Sequence, residues 1–338
     1  MNTFGNNFRV GIWGESHGDT IGVTIDGVPA GLALCEDDFT SDIDRRRSGA
    51  KGTTPRTEAD KPIILSGVFE GHATGAPLTI VFKNTNTRSG DYSEFVATPR
   101  PGHADYTALQ RFGGWNDPRG GGHFSGRLTL PVVAAGVVAK KAIALALNPE
   151  TDSTDPSSCE SGYVNAEIIQ LGGSSDKSQW DSLLQLAMSE GDSLGAVVEC
   201  RAQVPAGLGN PFWDSLEALI SHAVFSIPGV RGIEFGDGFK AAAMRGSEHN
   251  DPFGPDGAPA KNGSGGINGG ITNGAPIVFR VAFKPTSSIS KAQETFNFET
   301  GQMTSLICRG RHDACFALRA PVVVEAVTSI VLADLLVY

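Results

Sequence analysis

The sequence lacks the features that mark several large classes of protein. Its five cysteines are scattered and odd in number, with no C-x-x-C pair, which argues against a disulfide framework or a thiol redox motif. The N-terminus has no basic stretch followed by an apolar core, so we expect no signal peptide. The longest apolar runs are expected to be too short to span a bilayer. These absences predict a soluble, cytoplasmic protein without a membrane partner.

Positive charge is scarce over the chain as a whole. Lys and Arg number 27 against 37 Asp and Glu, giving a formal net charge of -10. Because non-specific nucleic-acid binding needs a basic surface, we expect no nucleic-acid partner. An acidic protein can still bind a small polyanion where its cations are concentrated. Local arginine clusters therefore matter more here than the overall balance.

Glycine, in contrast, is abundant, with 43 residues gathered mainly in loops. Between these loops, β-branched and aromatic residues predict strands, and longer apolar patterns predict helices. The predicted strands are 8–13, 21–27, 63–69, 77–83, 196–204 and 276–284, and the predicted helices are about 128–147, 178–189, 211–225 and 314–337. Strands that come in groups with helices between them favour an α+β fold over a doubly wound sheet.

Two segments of the chain resemble each other. GHATGAPLTIVFKNT (71–85) and GGITNGAPIVFRVAFKPT (269–286) share Gly-Ala-Pro, a strand and Phe-Lys-x-Thr. This similarity fits either two similar hairpins or two related halves of a sandwich, and the sequence leaves both open. Residues 245–270 have the composition of a loop, and a loop of that length is usually functional or disordered. We predict that it orders over a ligand.

Two histidines stand in turns. GESHG (14–18) puts His17 at the end of a predicted strand, and RPGHADY (100–106) puts His103 two residues before Asp105. A carboxylate at that spacing can orient an imidazole and raise its pKa. Each stretch alone fits an ordinary turn with a satisfied histidine. Two such turns in a chain with seven histidines favour a pair of acid–base groups.

Several short stretches concentrate cations beside glycines or hydroxyls. In DPRGGGHFSGR (117–127), Arg119 and Arg127 flank three glycines at a predicted helix start, which suits an anion. The others are DIDRRRSGAKG (42–52), for which a solvated face is the alternative, KPTSSIS (284–290) and RGRHDACFALRA (309–320). Cys308, His312 and Cys315 have spacings unlike zinc modules and no convincing fourth ligand, so we expect no metal. Together these stretches predict a pocket for multiply anionic small molecules.

GESHG, DRRR, RPGHADY, the RGGG loop with Ser125 and Arg127, KPTSSI and GRHD occur in this order in chorismate synthases. The chain resembles that family from Phe8 to about Leu336. The resemblance implies a single domain of residues 1–338, a β-α-β sandwich of two antiparallel sheet layers around helices, and a homotetramer. It implies a lyase that removes phosphate from C3 and a proton from C6 of 5-enolpyruvylshikimate 3-phosphate, in an anti 1,4-elimination that gives chorismate. This is the last step of the shikimate pathway, which leads to the aromatic amino acids.

The resemblance also implies a cofactor and residue roles. Reduced FMN (FMNH2) is required although the reaction is redox-neutral, and NADPH is a candidate reductant because some members reduce their own flavin. The implied catalytic residues are His17, His103 and Asp313, with His103 beside the flavin, His17 nearer the substrate, and Asp313 near the reactive flavin nitrogen. The implied FMN positions are His123, Phe124, Ser125, Pro228, Gly229, Gly269, Lys284, Pro285, Thr286, Ser287, Ser288 and Arg311. The implied substrate or NADP positions are Arg46, Lys51 and Arg127, with Arg311 also near the substrate.

Two stretches depart from the family pattern, and the departure of SIPGVRG (226–232) is mild because its FMN contacts would be made by the backbone. Where the family usually reads GGGRSSARET, this chain reads GGGHFSGRLT, so that His123, Phe124 and Leu128 replace arginine, serine and glutamate. A fixed positive charge becomes one that depends on pH. The sequence leaves two alternatives to the chorismate synthase activity. The first is a flavin-independent hydrolase of phosphate esters. The second is an FMN- or phosphate-binding protein of the same fold, in which the altered loop impairs catalysis. The hydrolase would need a metal or nucleophile, and neither is evident. The presence of both histidines and Asp313 favours the enzyme over the binding protein.

Overall fold

The computed structural model describes residues 2–54, 58–86, 92, 94–148, 163–310 and 312–337. The strands in these parts of the chain are β1 (Thr3–Phe4), β2 (Arg9–Gly14), β3 (Thr20–Asp26), β4 (Ile63–Ser66), β5 (Val68–Phe69), β6 (His72–Ala73), β7 (Leu78–Lys83), β8 (Val164–Leu171), β9 (Ala196–Ala202), β10 (Val230–Phe235), β11 (Ile267–Asn268), β12 (Ile271–Thr272), β13 (Ile277–Phe283), β14 (Gln293–Asn297) and β15 (Gln302–Leu306). The α-helices are α1 (Thr40–Arg46), α2 (Asp105–Phe112), α3 (Thr129–Leu147), α4 (Trp180–Ser189), α5 (Leu216–Val224), α6 (Gly246–His249) and α7 (Pro321–Leu336).

Two antiparallel sheets form the framework of the protein. The first has the strand order β1-β2-β3-β7-β4 and the second the order β10-β13-β9-β8. In the first sheet Ile21 pairs with Phe82 and Ile25 with Leu78, and all four side chains are fully buried. Alternate residues of β3 and β7 therefore point into the core, as period-2 patterning requires when a sheet has one covered face.

Two long apolar helices fill the space between the sheets. Helix α3 packs against β2, β3 and β7 of the first sheet, α7 packs against β8 and β9 of the second, and the two helices pack against each other. A Cβ added to Gly136 of α3 would lie 2.4 Å from the Cβ of Ala326 on α7, so glycine permits their close contact. Side chains of both sheets and both helices form one hydrophobic core. The predicted α+β class is confirmed, and this layering agrees with the expected sandwich.

The apolar helix in this layer corrects one expectation from the sequence. Gly126–Leu147 is long and apolar enough, by length and composition, to cross a membrane, and it is the one such helix in the described residues. However, 78% of its most apolar window is buried inside the protein. A helix that is hydrophobic all round is also what a core position between two sheets requires.

A buried ionic network joins the helices to the second sheet. The carboxylate of Glu325 on α7 accepts hydrogen bonds from both terminal nitrogens of Arg45, at 2.7 and 2.6 Å, and from the Ala166 amide of β8 at 2.9 Å. Lys140 of α3 lies 3.2 Å from Glu325 and 2.7 Å from Asp42 of α1. A single carboxylate therefore connects α1, α3, α7 and β8.

Most predicted elements are present, with three differences. Residues 63–69 form two strands, β4 and β5, because the chain turns at Gly67, whose φ is 88°. The helix predicted from 211 begins only at Leu216, where the Ser215 hydroxyl accepts from the Ala218 amide at 3.2 Å and caps the helix. Helix α7 begins at Pro321 rather than near 314. The short helices α1 and α2, strands β8 and β10, and the β14–β15 hairpin were not predicted.

The two similar segments adopt the same local structure in different sheets. In the first, the short strand β6 precedes β7, which lies between β3 and β4; in the second, β12 precedes β13, which lies between β10 and β9. Each segment therefore supplies an interior strand of its own sheet. This favours related halves of a sandwich over two merely similar hairpins.

The loop of residues 245–270 is held by its own contacts. The Asp251 carboxylate accepts from the amides of Gly263 and Ser264 at 2.7 and 2.8 Å, and Lys261 donates to the His249 carbonyl at 2.7 Å. None of its residues lines the cavity described below. The loop therefore lies apart from that cavity, and its predicted contact with a ligand stays a prediction.

Candidate functional site

A cavity of about 930 Å³ brings together most of the side chains that the sequence singled out. They come from the end of β2, from α1, from the glycine loop before α3, from the segment after β13 and from the segment before α7. The predicted site residues in its lining are His17, Arg46, His103, His123, Phe124, Ser125, Arg127, Pro228, Gly229, Lys284, Pro285, Thr286, Ser287, Ser288 and Asp313.

Other predicted residues lie elsewhere. Lys51 is exposed and pairs with Asp181 at 3.1 Å, and Gly269 lies in the exposed turn between β11 and β12. Arg311 lies outside the described residues. Arg119, expected to flank an anion site, turns away from the cavity and pairs with Asp117 at 2.8 Å. Of the two arginines around the glycine loop, only the second reaches the cavity.

The glycine loop runs against both histidines. Gly120, Gly121 and Gly122 have φ values of 61°, 80° and 54°, in the left-handed region that favours glycine. A Cβ on Gly120 would lie 2.4 Å from Cδ2 of His17, and one on Gly121 would lie 3.4 Å from Cε1 of His103. The backbone conformation therefore favours glycine at all three positions, and the close approach of His17 also requires it at Gly120. They do not form the start of α3, which begins at Thr129.

His103 belongs to a buried hydrogen-bonded group. Its Nδ1 lies 2.6 Å from Oδ1 of Asp105, and Asp105 accepts from Nε and a terminal nitrogen of Arg100 at 2.7 and 2.8 Å. Burial and the Arg100 cation lower the pKa of His103 below its usual value, although the bond to Asp105 acts in the opposite direction. The expectation that Asp105 would raise this pKa is therefore wrong for the net effect. Asp105 orients the ring, and the ring is neutral at neutral pH.

Two buried arginines share one carboxylate. Oδ2 of Asp60 lies 3.4 Å from a terminal nitrogen of Arg46, and Oδ1 of Asp60 accepts from Arg127. Arg46 also donates to the Thr129 hydroxyl and the Gly126 carbonyl, each at 3.0 Å. Burial, with the nearby cations Arg319 and Arg127, lowers the pKa of Arg46. Asp60 therefore offers one negative charge to two buried guanidinium groups.

Asp60 lies between the two arginines and has a left-handed backbone conformation. Its φ is 47°, and it is only 5% exposed. Arg127 is held from its other side by Asn84, which accepts from Nε at 3.0 Å, and by Glu58 at 3.2 Å. Sequence reasoning missed Asp60, since nothing in EADKP distinguishes it from a surface acid before a strand. Only the fold shows that it lies between Arg46 and Arg127.

We expect Asp60→Asn to lower the free energy of unfolding by about 2 kcal/mol, because two buried guanidinium groups lose a charged acceptor. Asparagine keeps the side-chain shape and tolerates the left-handed backbone. Added inorganic phosphate should restore more stability in this variant than in the wild type, since an anion would replace the missing charge. Thermal unfolding with and without phosphate measures both effects.

The control for this test is Asp26→Asn. Asp26 forms an exposed pair with Arg9, at 3.9 Å, and neither residue lines the cavity, so this variant should change stability little. An equal response of the two variants to phosphate would contradict the role of Asp60 in balancing the charge of Arg46 and Arg127.

Asp313 is fixed by two donors at the start of the last helical segment. Its Oδ1 accepts from the Thr54 amide at 2.8 Å and its Oδ2 from Arg319 at 2.6 Å. The Arg319 guanidinium carbon also lies 5.4 Å from the centre of the Phe316 ring. The carboxylate therefore has a set orientation at the cavity wall.

The segment Lys284–Ser288 is joined to the turn that carries His103. Lys284 donates to the Gly102 carbonyl at 3.0 Å and to the Ser287 hydroxyl, and Ser287 donates to the same carbonyl at 2.8 Å. Burial and the nearby Arg231 lower the pKa of Lys284. The Oγ1 of Thr286 is buried and has no hydrogen-bond partner among the described residues. This segment therefore presents a cation and an unused hydroxyl at the cavity.

His123 and Phe124, where the chain departs from the family pattern, both lie at the cavity. Nδ1 of His123 lies 2.7 Å from the Gly14 carbonyl and donates to it, which ties the glycine loop to the end of β2. Phe124 is 40% exposed and packs near Phe112, with ring centres 6.3 Å apart. The substitution therefore leaves the loop anchored by a hydrogen bond.

Comparisons with known proteins agree with this arrangement. The family model described as chorismate synthase matches residues 8–337. The chain belongs to the chorismate synthase family. Within this family of lyases, the chain is 53% identical to the chorismate synthase of Chitinophaga pinensis over 336 residues, covering 99% of this chain and 96% of the relative. It is 47% identical to that of Dehalococcoides mccartyi (strain BAV1) over 353 residues, covering 99% and 96%.

A solved structure gives the same result for the fold. The crystal structure titled chorismate synthase superposes with a TM-score of 0.70 at 26% identity, covering 98% of this chain and 92% of the other. The motifs quoted from the sequence therefore lie in the expected fold. The membership of this chain in the chorismate synthase family accounts for its mixture of helices and antiparallel sheets.

Proposed function

We propose that this protein converts 5-enolpyruvylshikimate 3-phosphate to chorismate, with loss of phosphate from C3 and a proton from C6, using reduced FMN. The observation that carries the proposal is the cavity in which one glycine loop contacts both His17 and His103, beside Arg46 and Arg127. This combination offers acid–base groups and fixed cations to one ligand. The binding protein with impaired catalysis is the alternative, and the intact histidines and Asp313 count against it.

The charge of the substrate supports the assignment of the arginines. Two carboxylates and a phosphate need several fixed cations close by, since like charges at such distances repel strongly. Arg46 and Arg127 are held by Asp60 and by backbone and side-chain acceptors, so they bind without large rearrangement. An anion beside Arg46 would offset the burial of its charge. We assign both arginines to the substrate.

The cavity wall also fits a flavin phosphate and ring. Unpartnered buried polar atoms at the wall, Oγ1 of Thr286, Nε2 of His312 and Nε of Arg319, are the kind of groups that a polar ligand satisfies. Lys284, Ser287 and the backbone at Pro228 and Gly229 would hold FMN together with residues 123–125. When bound, reduced FMN lends electron density to the allylic system as phosphate departs.

His17, His103 and Asp313 would then each have a separate role in the proton transfers of the reaction. His17, held by the glycine loop and edge-on to Tyr92 at 5.2 Å, donates a proton to the departing phosphate. His103 would present a neutral imidazole to the flavin. Asp313, oriented by Thr54 and Arg319, would help the reactive flavin nitrogen to accept the proton lost from C6.

A homotetramer, a cytoplasmic location and a single domain of residues 1–338 are parts of the same proposal. Trp115 and Trp213 are 93% and 91% exposed, which fits subunit contacts. The scattered cysteines fit a reducing compartment. NADPH is proposed as the reductant that keeps FMN reduced.

The test is an anaerobic assay of the purified protein with 5-enolpyruvylshikimate 3-phosphate, with and without chemically reduced FMN. We expect chorismate, detected by absorbance and chromatography, only with reduced FMN. A parallel reaction with oxidised FMN and NADPH shows whether the protein reduces its own flavin. Phosphate release without flavin would identify a hydrolase. Flavin binding without product would identify the binding protein.

A further inference from the structure

Arg100 is a buried cation whose three guanidinium nitrogens all have defined partners. It is 5% exposed. Its Nε and one terminal nitrogen donate to the two oxygens of Asp105 at 2.7 and 2.8 Å, and the other terminal nitrogen donates to the Ser288 hydroxyl at 2.9 Å. Its guanidinium carbon lies 4.6 Å from the centre of the Phe95 ring. The group is therefore held in one orientation.

This arrangement selects one tautomer of His103. Nδ1 of His103 lies 2.6 Å from Asp105 and 3.0 Å from Arg100. A neutral nitrogen cannot donate to the carboxylate and accept from the guanidinium at once. The shorter contact is the one to the carboxylate, and Arg100 is already satisfied by Asp105 and Ser288. The proton therefore lies on Nδ1, which leaves Nε2 as an acceptor.

Among the residues that the structure describes, the charged groups that most affect the pKa of the His103 imidazole are Arg100, Lys284 and Asp105. Arg100 and Lys284 oppose a positive charge on the ring, and Asp105 favours one. Because Arg100 binds both oxygens of Asp105, it neutralises much of the effect of the only carboxylate among these groups. The pKa of Asp105 accordingly lies well below its usual value.

Arg100 also joins this turn to the segment after β13. Its bond to Ser288 adds to the bonds that Lys284 and Ser287 make to the Gly102 carbonyl. The position of the imidazole is therefore linked to the segment that would hold the cofactor.

We propose that Arg100 is a positioning residue, which fixes His103 as a neutral imidazole with an unprotonated Nε2 and couples its position to residues 284–288. The proposal rests on the proposed function only for the step in which His103 acts. The state of the imidazole in the free protein can be measured without turnover.

The experiment is a pH titration of the full-length, ligand-free protein labelled with ¹⁵N-histidine, observed by NMR, with His103 assigned through His103→Gln. In the wild type we expect Nδ1 to be protonated and Nε2 unprotonated at neutral pH. In Arg100→Gln the pKa of His103 should rise by about 1 unit or more, because a nearby cation is lost and Asp105 is no longer neutralised. Arg201→Gln, which removes an exposed cation on β9, should leave His103 unchanged.

If Arg100 had a purely structural role, its replacement would not change the pKa or the tautomer of His103. A folded Arg100→Gln protein with unchanged pKa and tautomer of His103 would overturn the proposal. If Arg100→Gln does not fold, Asp105→Asn carries the test, since loss of the facing carboxylate should lower the pKa of His103 below that of the wild type. No shift in that variant would overturn the proposal equally.

Kinetics separate this inference from the proposed function. With an active wild type, Arg100→Gln should lower kcat more than it raises KM and should move the acid side of the pH profile upward. An inactive wild type would refute the proposed function, whereas the NMR titration would still decide the role of Arg100.

Discussion

Replacing Gly120 with alanine should lower kcat/KM for 5-enolpyruvylshikimate 3-phosphate by about 100-fold or more, since small displacements of a catalytic group have effects of that size. The added methyl group would lie 2.4 Å from Cδ2 and 2.5 Å from Nε2 of His17, so the imidazole or the loop must move. Steady-state kinetics under anaerobic conditions with reduced FMN measure the loss. Circular dichroism and thermal unfolding show whether the fold is kept.

The matched control is Gly113→Ala. Gly113 ends α2 with a φ of 60°, almost the same as the 61° of Gly120, but no atom lies within 4 Å of an added methyl group. Both variants carry the same backbone cost, about 1 kcal/mol. Only Gly120→Ala displaces His17. If the two variants lost activity equally, the contact between the glycine loop and His17 would not matter for catalysis.

Replacing Glu325 with alanine should lower the free energy of unfolding by about 3–5 kcal/mol, the range for breaking a buried ion pair. The side chain is 3% exposed and is shared by Arg45, Lys140 and the Ala166 amide. Its loss leaves Lys140, itself buried, with Asp42 as its remaining carboxylate. Urea unfolding followed by fluorescence measures the change in the midpoint and slope.

Glu167→Ala is the control for this change. Glu167 pairs with Lys177 at 3.0 Å, but both side chains are about two-thirds exposed, at 66% and 65%. An exposed pair contributes about 1 kcal/mol or less. A loss of similar size in both variants would mean that burial of the network contributes little to stability.

The candidate site could be predicted where its residues stand in glycine-rich turns. His17 and His103 were found because each lies in a short turn with glycine beside it, and the cavity contains both. The roles of Asp60 and Arg100 could not be found from the sequence. The partners of Asp60, Arg46 and Arg127, are distant in sequence. The contacts of Arg100 with His103 and Asp105 are recognised only when the side chains meet in the folded protein. The direction of the pKa shift of His103 was also wrong. The sequence spacing identifies Asp105 as a neighbour of His103. It shows neither the burial of the His103 imidazole nor the bidentate hydrogen bonds from Arg100 to Asp105.

The fold could be predicted where local patterns are strong. Runs of clear composition predict β2, β3, β7, β9 and β13 and helices α3 and α4. Strand β8 mixes polar and apolar residues, and its pairing with β9 determines its structure. The start of α5 depends on the Ser215 cap rather than on Pro211.

The sequence by itself determined the class of fold, the family resemblance, the glycine loop and the two histidines, since these depend on local composition and on motifs in a fixed order. Only the tertiary structure decided which cations face the cavity: Arg46 and Arg127 do, whereas Arg119 and Lys51 pair with surface acids. It also decided that the long apolar helix Gly126–Leu147 lies in the core. The physical reason is that charge and burial depend on long-range neighbours. A sequence motif names the side chain but not the groups that surround it.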